Sequence, residues 1–502
     1  MDFLTCCLLC PLLALLLLQA FSSLRHGSCK SSDQTKLPPG PRRLPIFGNL
    51  FDLGDKPHRS LAKLARIHGP IMSLKLGSLF TVVVSSEAVA KEVLQKQDLI
   101  FCNRTVVDAV RASRHHEVGL PWLPVSPLWR TLRKVSNTHL FTTTKLDANE
   151  HLRRDKIQQL VAHVGKSCLK GEAIDIRQAA FDTSINLLSN TIFSMDLVDP
   201  NSFIAQEFRQ TICSVMEDAG KPNLADYFPL LRKIDPQGVR HRMSVHFDKL
   251  LNLLGKMFDE RLQSRNSKGS TPSNDVLDTL LDIIESGVEK LDKTLVTHLL
   301  LVLFVAGTDT TSGTLEWAMA ELLGNPHVLV KAKKELEQVI GKRKAIEESD
   351  INRLPYLQAI VKETFRMHPV LPLLLPRKAN SDAGLCGFTV PKDSQVLINV
   401  WAIGRDPSTW ENPNSFMPER FLGSEIDVKG RDFGLIPFGS GRRICPGLSL
   451  ANRMLHLMLG SLINVFDWKL EGGISSNEMN MEEKFGLSVQ SAEPLRAIPL
   501  LV

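Results

Sequence analysis

What this chain of 502 residues lacks narrows its function first. There is no G-x-G-x-x-G opening a helix after a strand: Gly439-Ser440-Gly441 comes nearest, with Ile444 where a third glycine belongs. A dinucleotide site of that type is therefore excluded. Nor does Gly-Lys-Ser/Thr follow those glycines, which removes a phosphate loop. A formal net charge of +6 is small for this length and includes no basic run, so nucleic acid is not an expected partner. The nine cysteines are an odd count, three of them between Cys6 and Cys10, and make no disulfide framework. A reducing compartment is expected for the body of the protein. Internal repeats and long linkers are absent too. The Ser/Gly-enriched stretch 264–274 reads as a surface loop between helices. One large helix-rich domain with small sheets is expected, big enough to enclose a cofactor.

The run Phe438 to Gly447, FGSGRRICPG, is the most informative feature present. It sets Cys445 in a glycine-rich turn, two residues after Arg443, with Pro446 and Gly447 following. Pro446 suits the first position of a helix, where a missing N–H costs nothing. A helix starting there would aim its positive dipole end at Cys445 and favour the thiolate. Zinc requires about four ligands, and no C-x-x-C or H-x-x-H pair accompanies Cys445. A buried structural cysteine is the common alternative, but glycines and arginines make a poor core segment. A lone thiolate suits one axial position on a haem iron, with Arg443 facing a propionate.

A second feature lies in the long, proline-free apolar segment 295–323, which predicts a buried helix. Inside it, Ala306-Gly307-Thr308-Asp309-Thr310-Thr311 is a weak point, because glycine and back-bonding threonines both disfavour helix. A kink or widened turn is expected there, with room for a small molecule and water.

At the N-terminus, residues 3–21 are nearly all apolar, interrupted chiefly by Thr5 and Gln19, and the first basic residue is Arg25. As a helix this run spans roughly 28 Å, close to a bilayer core. With Asp2 and no Lys or Arg ahead of it, a cleaved signal peptide is disfavoured. The positive charges that follow place the body on the cytosolic side. The expected plan is a membrane anchor over 1–22, a basic, proline-rich linker over 23–41, and a catalytic domain over 42–502.

The spacing F-x-x-G-x-R-x-C-x-G, fixed by Phe438, Gly441, Arg443, Cys445 and Gly447, resembles the haem signature of the cytochrome P450 family. The resemblance covers essentially the whole chain and is greatest to plant microsomal members, in a terpenoid-oxidising subgroup that includes geraniol 8-hydroxylases. It implies a haem-thiolate domain holding haem b, with Cys445 as metal ligand and Phe438, Gly441 and Arg443 in the cofactor loop. Trp129 and Arg133 match the family's W-x-x-x-R helix, and Arg377 a further propionate contact. Thr310 is implied as the proton-relay residue and Asp309 as the acid linking it to solvent. Glu363 and Arg366, three apart, would join Arg420 in a buried structural triad.

Without a nucleotide site, electrons must come from a partner, which the resemblance implies to be the NADPH-cytochrome P450 reductase of the endoplasmic reticulum membrane. Arg130, Lys134 and Arg442 are candidates for its docking face. The matching substrate segments are mainly apolar and supply Trp122, Phe304, Ala306, Val370, Leu371, Phe485 and Leu487, which suits a terpenoid with dioxygen as co-substrate. Gly119 and Pro121 depart from the related pattern over the haem, which puts geraniol itself in question. The alternatives are phenol coupling or another oxidation of a phenolic or alkaloid, and a haem-binding scaffold without turnover. A scaffold has no use for the Asp309-Thr310 pair.

Overall fold

In this computed structural model, residues 36–198, 203–267, 275–287 and 289–501 are described. The expected anchor and residues 23–35 of the linker lie outside them, as does most of the 264–274 loop. The remainder of the proline run is docked rather than free. Ser73 donates from its backbone N–H to Pro39 O at 2.7 Å and from its hydroxyl to Pro38 O at 2.7 Å. A Cβ on Gly40 would stand 1.9 Å from Ser73 O, so only glycine permits this approach.

The architecture is mainly helical. The helices that frame the centre are α1 (Pro57–His68), α2 (Pro127–Val135), α3 (Glu150–Lys170), α4 (Ile176–Phe193) and α5 (Phe203–Gly220). They continue with α6 (Val239–Asn266), α7 (Lys293–Gly324), α8 (Pro355–Met367) and α9 (Leu448–Val465). Local chemistry sets several starts. Pro57, Pro127 and Pro355 occupy first-turn positions. The side chains of Ser126 and Asp292 cap α2 and α7, accepting from the N–H groups of Trp129 and Leu295.

Helix α7 is the axle. It is apolar around its circumference, and such a helix must be buried on all sides. It packs against α4, α6, α8 and α9. Among the described residues it is the one helix long and apolar enough to cross a membrane, but it lies in the protein core. Toward its C-terminus Leu315, Trp317 and Met319 join Leu357, Ile360, Leu455 and Met458 in one core. Toward its N-terminus Leu299, Leu300 and Phe304 join Ile185, Leu188, Phe247 and Ile212 in a second. Each such side chain contributes about 1.5–3 kcal/mol by leaving water. The helix runs unbroken through Ala306–Thr311, with no residue outside helical conformation. The hydroxyls of Thr308, Thr310 and Thr311 each donate to the carbonyl four residues back, at 2.7–3.0 Å, and the weak point is accommodated within a continuous helix.

The strands are short: β1 (Ile71–Leu76), β2 (Leu79–Val84), β3 (Asn103–Arg104), β4 (Ile174–Asp175), β5 (Arg377–Lys378), β6 (Gln395–Ile398), β7 (Phe466–Leu470), β8 (Glu483–Lys484), β9 (Gln490–Ser491) and β10 (Arg496–Leu501). One sheet runs β1-β2-β6-β5-β3, parallel only between β2 and β6; another runs β4-β10-β7; and β8 pairs with β9 as a hairpin. The β3–β5 end of the first sheet and the tip of the β8–β9 hairpin both reach the site.

Candidate haem-thiolate site

The cysteine loop is built by backbone geometry. Gly439 and Gly441 both take φ of +70°. A Cβ on Gly441 would meet Leu94 O at 2.1 Å, so no other residue fits. The Cys445 N–H donates to Phe438 O at 3.0 Å, closing the loop, and Phe438 packs edge-on to Phe365. Helix α9 begins at Leu448 with Gly447 as its cap, later than Pro446 suggested, since the φ and ψ of Gly447 are not yet helical. The purpose of the turn survives. The N–H groups of Gly447 and Leu448 reach the sulfur, and the Arg133 guanidinium faces it.

Those donors do not by themselves make a thiolate. Burial pushes the Cys445 thiol up, outweighing the Gly447 N–H, Arg133 and the Leu448 N–H, which pull it down. A coordinated metal ion removes such a proton outright. Cys445 is nevertheless an exposed residue. Exposure of the residue together with a burial penalty on its thiol fits a cysteine at the wall of an internal cavity. Ala306 is likewise exposed in the middle of an otherwise buried helix, with Val302 and Thr310 on the same face half-buried. These openings mark the two walls, one on the cysteine loop and one on α7.

Cations gather at the cavity's edge. Arg104 and Arg377 stand directly opposite each other in the β3–β5 pair, an arrangement that like charges disfavour. Arg443 donates to the carbonyls of Cys102, Pro121 and Leu123 and lies 5.0 Å over the Trp129 ring, the role that ring plays here. None of Arg104, Arg377, Arg443 or Arg133 forms an ion pair among the described residues, and the Nε atoms of Arg104 and Arg377 are buried without a partner. Burial first, then their neighbours' charge, pulls the guanidinium of Arg443 down to about 10; burial brings Arg377 to about 10 and Arg104 well below its usual value. Four uncompensated cations beside an accessible thiol fit the two propionates of a haem whose iron meets Cys445. Arg104 escaped the sequence reading: nothing in its local spacing marks it, and only the sheet register brings it to Arg377.

On the distal wall, Asp309 is buried rather than solvent-linked. Its carboxylate accepts from Arg177 Nη2 at 2.5 Å, Ser488 Oγ at 2.5 Å and Gln490 Nε2 at 3.3 Å. Arg177, at the start of α4, also faces Glu316 at 4.0 Å. Burial raises the Glu316 carboxyl to about 7, despite Arg177 and the Leu495 N–H, which oppose the shift. The sequence reading missed Arg177, Glu316, Ser488 and Gln490, which carry no motif.

Behind the cysteine loop, Glu363, Arg366 and Arg420 meet. Arg366 forms a two-bond fork with Glu363, both at 2.7 Å, and Arg420 Nε adds a third at 3.1 Å. The spare arginine N–H groups donate to the carbonyls of Gly404, Glu411, Pro413 and Ser415, and Trp410 lies against both guanidiniums.

The expected pocket residues separate into two groups. Ala306 is open and Val370, Leu371 and Leu487 are half-buried, while Phe485, also half-buried, stacks on His58. Phe304 does not belong in the pocket: it is 1% exposed, stacked on Phe193 and edge-on to Phe208 in the core. Being two residues from Ala306 turns it roughly 200° around the helix. Trp122 is also buried, its preceding carbonyl occupied by Arg443. The unusual Gly119 has a local cause. A Cβ there would lie 2.5 Å from His115 Nε2, and His115 is fixed by a 2.9 Å contact to His298 of α7.

Comparison with known proteins agrees with this geometry. The family described as cytochrome P450 matches residues 38–495. The chain is 56% identical to a geraniol 8-hydroxylase of Catharanthus roseus over 500 residues, 99% of each chain. It is 56% identical to a geraniol 8-hydroxylase of Swertia mussotii, covering 95% of this chain and 96% of that one. It is 55% identical to a drimenol monooxygenase of Persicaria hydropiper, covering 93% of both. The chain belongs to the cytochrome P450 family, whose haem iron takes a cysteine thiolate as ligand.

Proposed function

We propose that this protein is a membrane-bound monooxygenase that hydroxylates an apolar terpenoid. The observation that carries the reading is the pairing of an exposed Cys445, faced by Arg133 near the cluster of Arg104, Arg377 and Arg443, with an exposed Ala306 on α7 beside Thr310 and Asp309. The names of its relatives support the terpenoid class, since two act on geraniol and one on drimenol. In the overall reaction a C–H bond becomes C–OH, the second oxygen atom of O2 leaves as water, and NADPH supplies both electrons through the reductase. Haem b, held by Cys445 with Arg104, Arg133, Arg377 and Arg443 toward its propionates, supplies the oxygen-activating chemistry.

The chain's own residues do the rest. Thr310 Oγ spends its one proton on Ala306 O at 2.7 Å in this structure, and it donates toward the cavity by turning that proton away from the carbonyl. Asp309 replenishes that proton from solvent, which reaches the buried carboxylate past the partly exposed Arg177. Ala306, Val370, Leu371 and Leu487 exclude water and orient the substrate by shape, since no polar anchor among them prefers one ring system. The apolar N-terminal run supports an anchor in the endoplasmic reticulum membrane, with the body in the cytosol. On the cysteine side Lys134 and Arg442 are already paired with Glu289 and Asp98, so Arg130 is the residue most available to a reductase carboxylate.

Incubating reductase-containing microsomes with a panel of monoterpene alcohols, sesquiterpene and diterpene alcohols, and phenolics tests this. Terpenoid hydroxylation with little phenolic turnover is expected; phenolic products alone would contradict the substrate class. Cys445→Ala is expected to abolish the thiolate-type carbon-monoxide difference spectrum and all turnover.

A further inference from the structure

The β8–β9 hairpin does more than wall the cavity. Its tip is wedged in place: Leu487 N–H donates to Met216 O of α5 at 3.4 Å, and Val489 N–H to Val370 O at 2.7 Å. The wedge depends on close backbone approach, because a Cβ on Gly220 of α5 would stand 1.7 Å from Leu487 N. The Phe485 ring stacks on buried His58, and Lys484 pairs with Glu217 at 3.3 Å. A tip held on three sides is a rigid platform.

From that platform two side chains reach α7. Ser488 is 3% exposed, and its hydroxyl donates to one Asp309 oxygen at 2.5 Å. Gln490 Nε2 donates to the other oxygen at 3.3 Å and lies 3.5 Å from Ser488 Oγ. With Arg177 these are all the side-chain donors on Asp309 among the described residues. A carboxylate held from three directions has one rotamer. That rotamer decides whether it can hand a proton toward Thr310.

We propose that Ser488 and Gln490 are positioning residues of the proton relay, held by the rigid hairpin tip so that the Asp309 carboxylate keeps one orientation toward Thr310. The inference rests on the reading that Asp309 serves Thr310. Arg177 reaches Asp309 from α4, so the carboxylate is fixed by two separate elements of the fold.

The full-length enzyme with its reductase and a turned-over terpenoid tests this in four variants: Ser488→Ala, Ser488→Thr, Gln490→Leu and Asp309→Asn. Ser488→Ala should keep the thiolate-type carbon-monoxide spectrum and the substrate dissociation constant, yet lose product per NADPH on the order of ten-fold, with peroxide released instead. Gln490→Leu should shift the same way by less. Ser488→Thr, which keeps the hydroxyl, should restore coupling. Infrared difference spectra should show the Asp309 carboxylate band, assigned by its absence in Asp309→Asn, displaced in Ser488→Ala and returned in Ser488→Thr. Full coupling in both Ser488→Ala and Gln490→Leu, beside an uncoupled Asp309→Asn, overturns the positioning role and leaves the relay standing. Full coupling in Asp309→Asn overturns both. Should Ser488→Ala lose its thiolate spectrum, Gln490→Leu and the infrared shift decide.

Discussion

Two buried carboxylates in this molecule are each held by arginine, and they are held differently. Glu363 accepts from two arginines and the Met417 N–H, and those arginines spend their remaining donors on backbone carbonyls. The cluster is closed, and nothing in it can move without leaving a charge unsatisfied. Asp309 is held by one arginine from α4 and by one hydroxyl and one amide from the β8–β9 hairpin. Its arginine has a second carboxylate, Glu316, within 4.0 Å, and one Glu316 oxygen has no hydrogen-bond partner. The first arrangement suits a fixed support behind the cysteine loop. The second leaves Arg177 another carboxylate close at hand, so Asp309 can change its charge without stranding the arginine.

That contrast predicts opposite phenotypes. Glu363→Ala strands Arg366 and Arg420 and should cost about 3–5 kcal/mol, the usual penalty for breaking a buried pair. Loss of folded haem protein, read by Tm and the carbon-monoxide spectrum, is expected. Asp309→Asn should instead keep the spectrum and most of the stability, since Arg177 can turn to Glu316, while product per NADPH falls on the order of 10²-fold. If Asp309→Asn unfolds the protein, or Glu363→Ala merely uncouples it, the comparison fails.

Smaller effects sharpen it. Gly119→Ala drives a methyl into His115 and should lower stability by about 1–3 kcal/mol. An unchanged Tm would show that the loop absorbs it. Glu316 gives a pH signature. Its carboxyl sits near 7 in the fold, above its ordinary value near 4.5, so the folded state holds the extra proton. The folded state is therefore favoured at low pH, and stability falls as pH rises from about 5 to 7. Glu316→Gln should flatten that stretch of a Tm-against-pH curve; an unaltered slope would place the titration elsewhere.

Local rules made the cysteine loop legible. Gly441 and Cys445 sit in one turn whose backbone admits few residue types, so ten residues identify it. Glu363 and Arg366 lie three apart on one helix, which alone fits a surface pair; their burial with Arg420 was legible only through the resemblance to the family. The buried helix α7 was legible from its length and composition, but its rotational phase was not, and Phe304 was assigned to the cavity although it faces the core. Arg104, Arg177, Ser488 and Gln490 were invisible because their partners lie more than a hundred residues away in sequence. Strand register and hairpin docking bring them in. The threonine-rich weak point is legible in the sequence, whereas the continuity of the helix through it is not, because back-bonding hydroxyls can be accommodated without breaking the ladder.

The most direct test is the ratio of peroxide to hydroxylated product in Asp309→Asn, measured on enzyme that first shows a native thiolate-type carbon-monoxide spectrum. A steep rise in that ratio with an unchanged spectrum is predicted. A native ratio, or a lost spectrum, would contradict the division between a fixed carboxylate at Glu363 and a working one at Asp309.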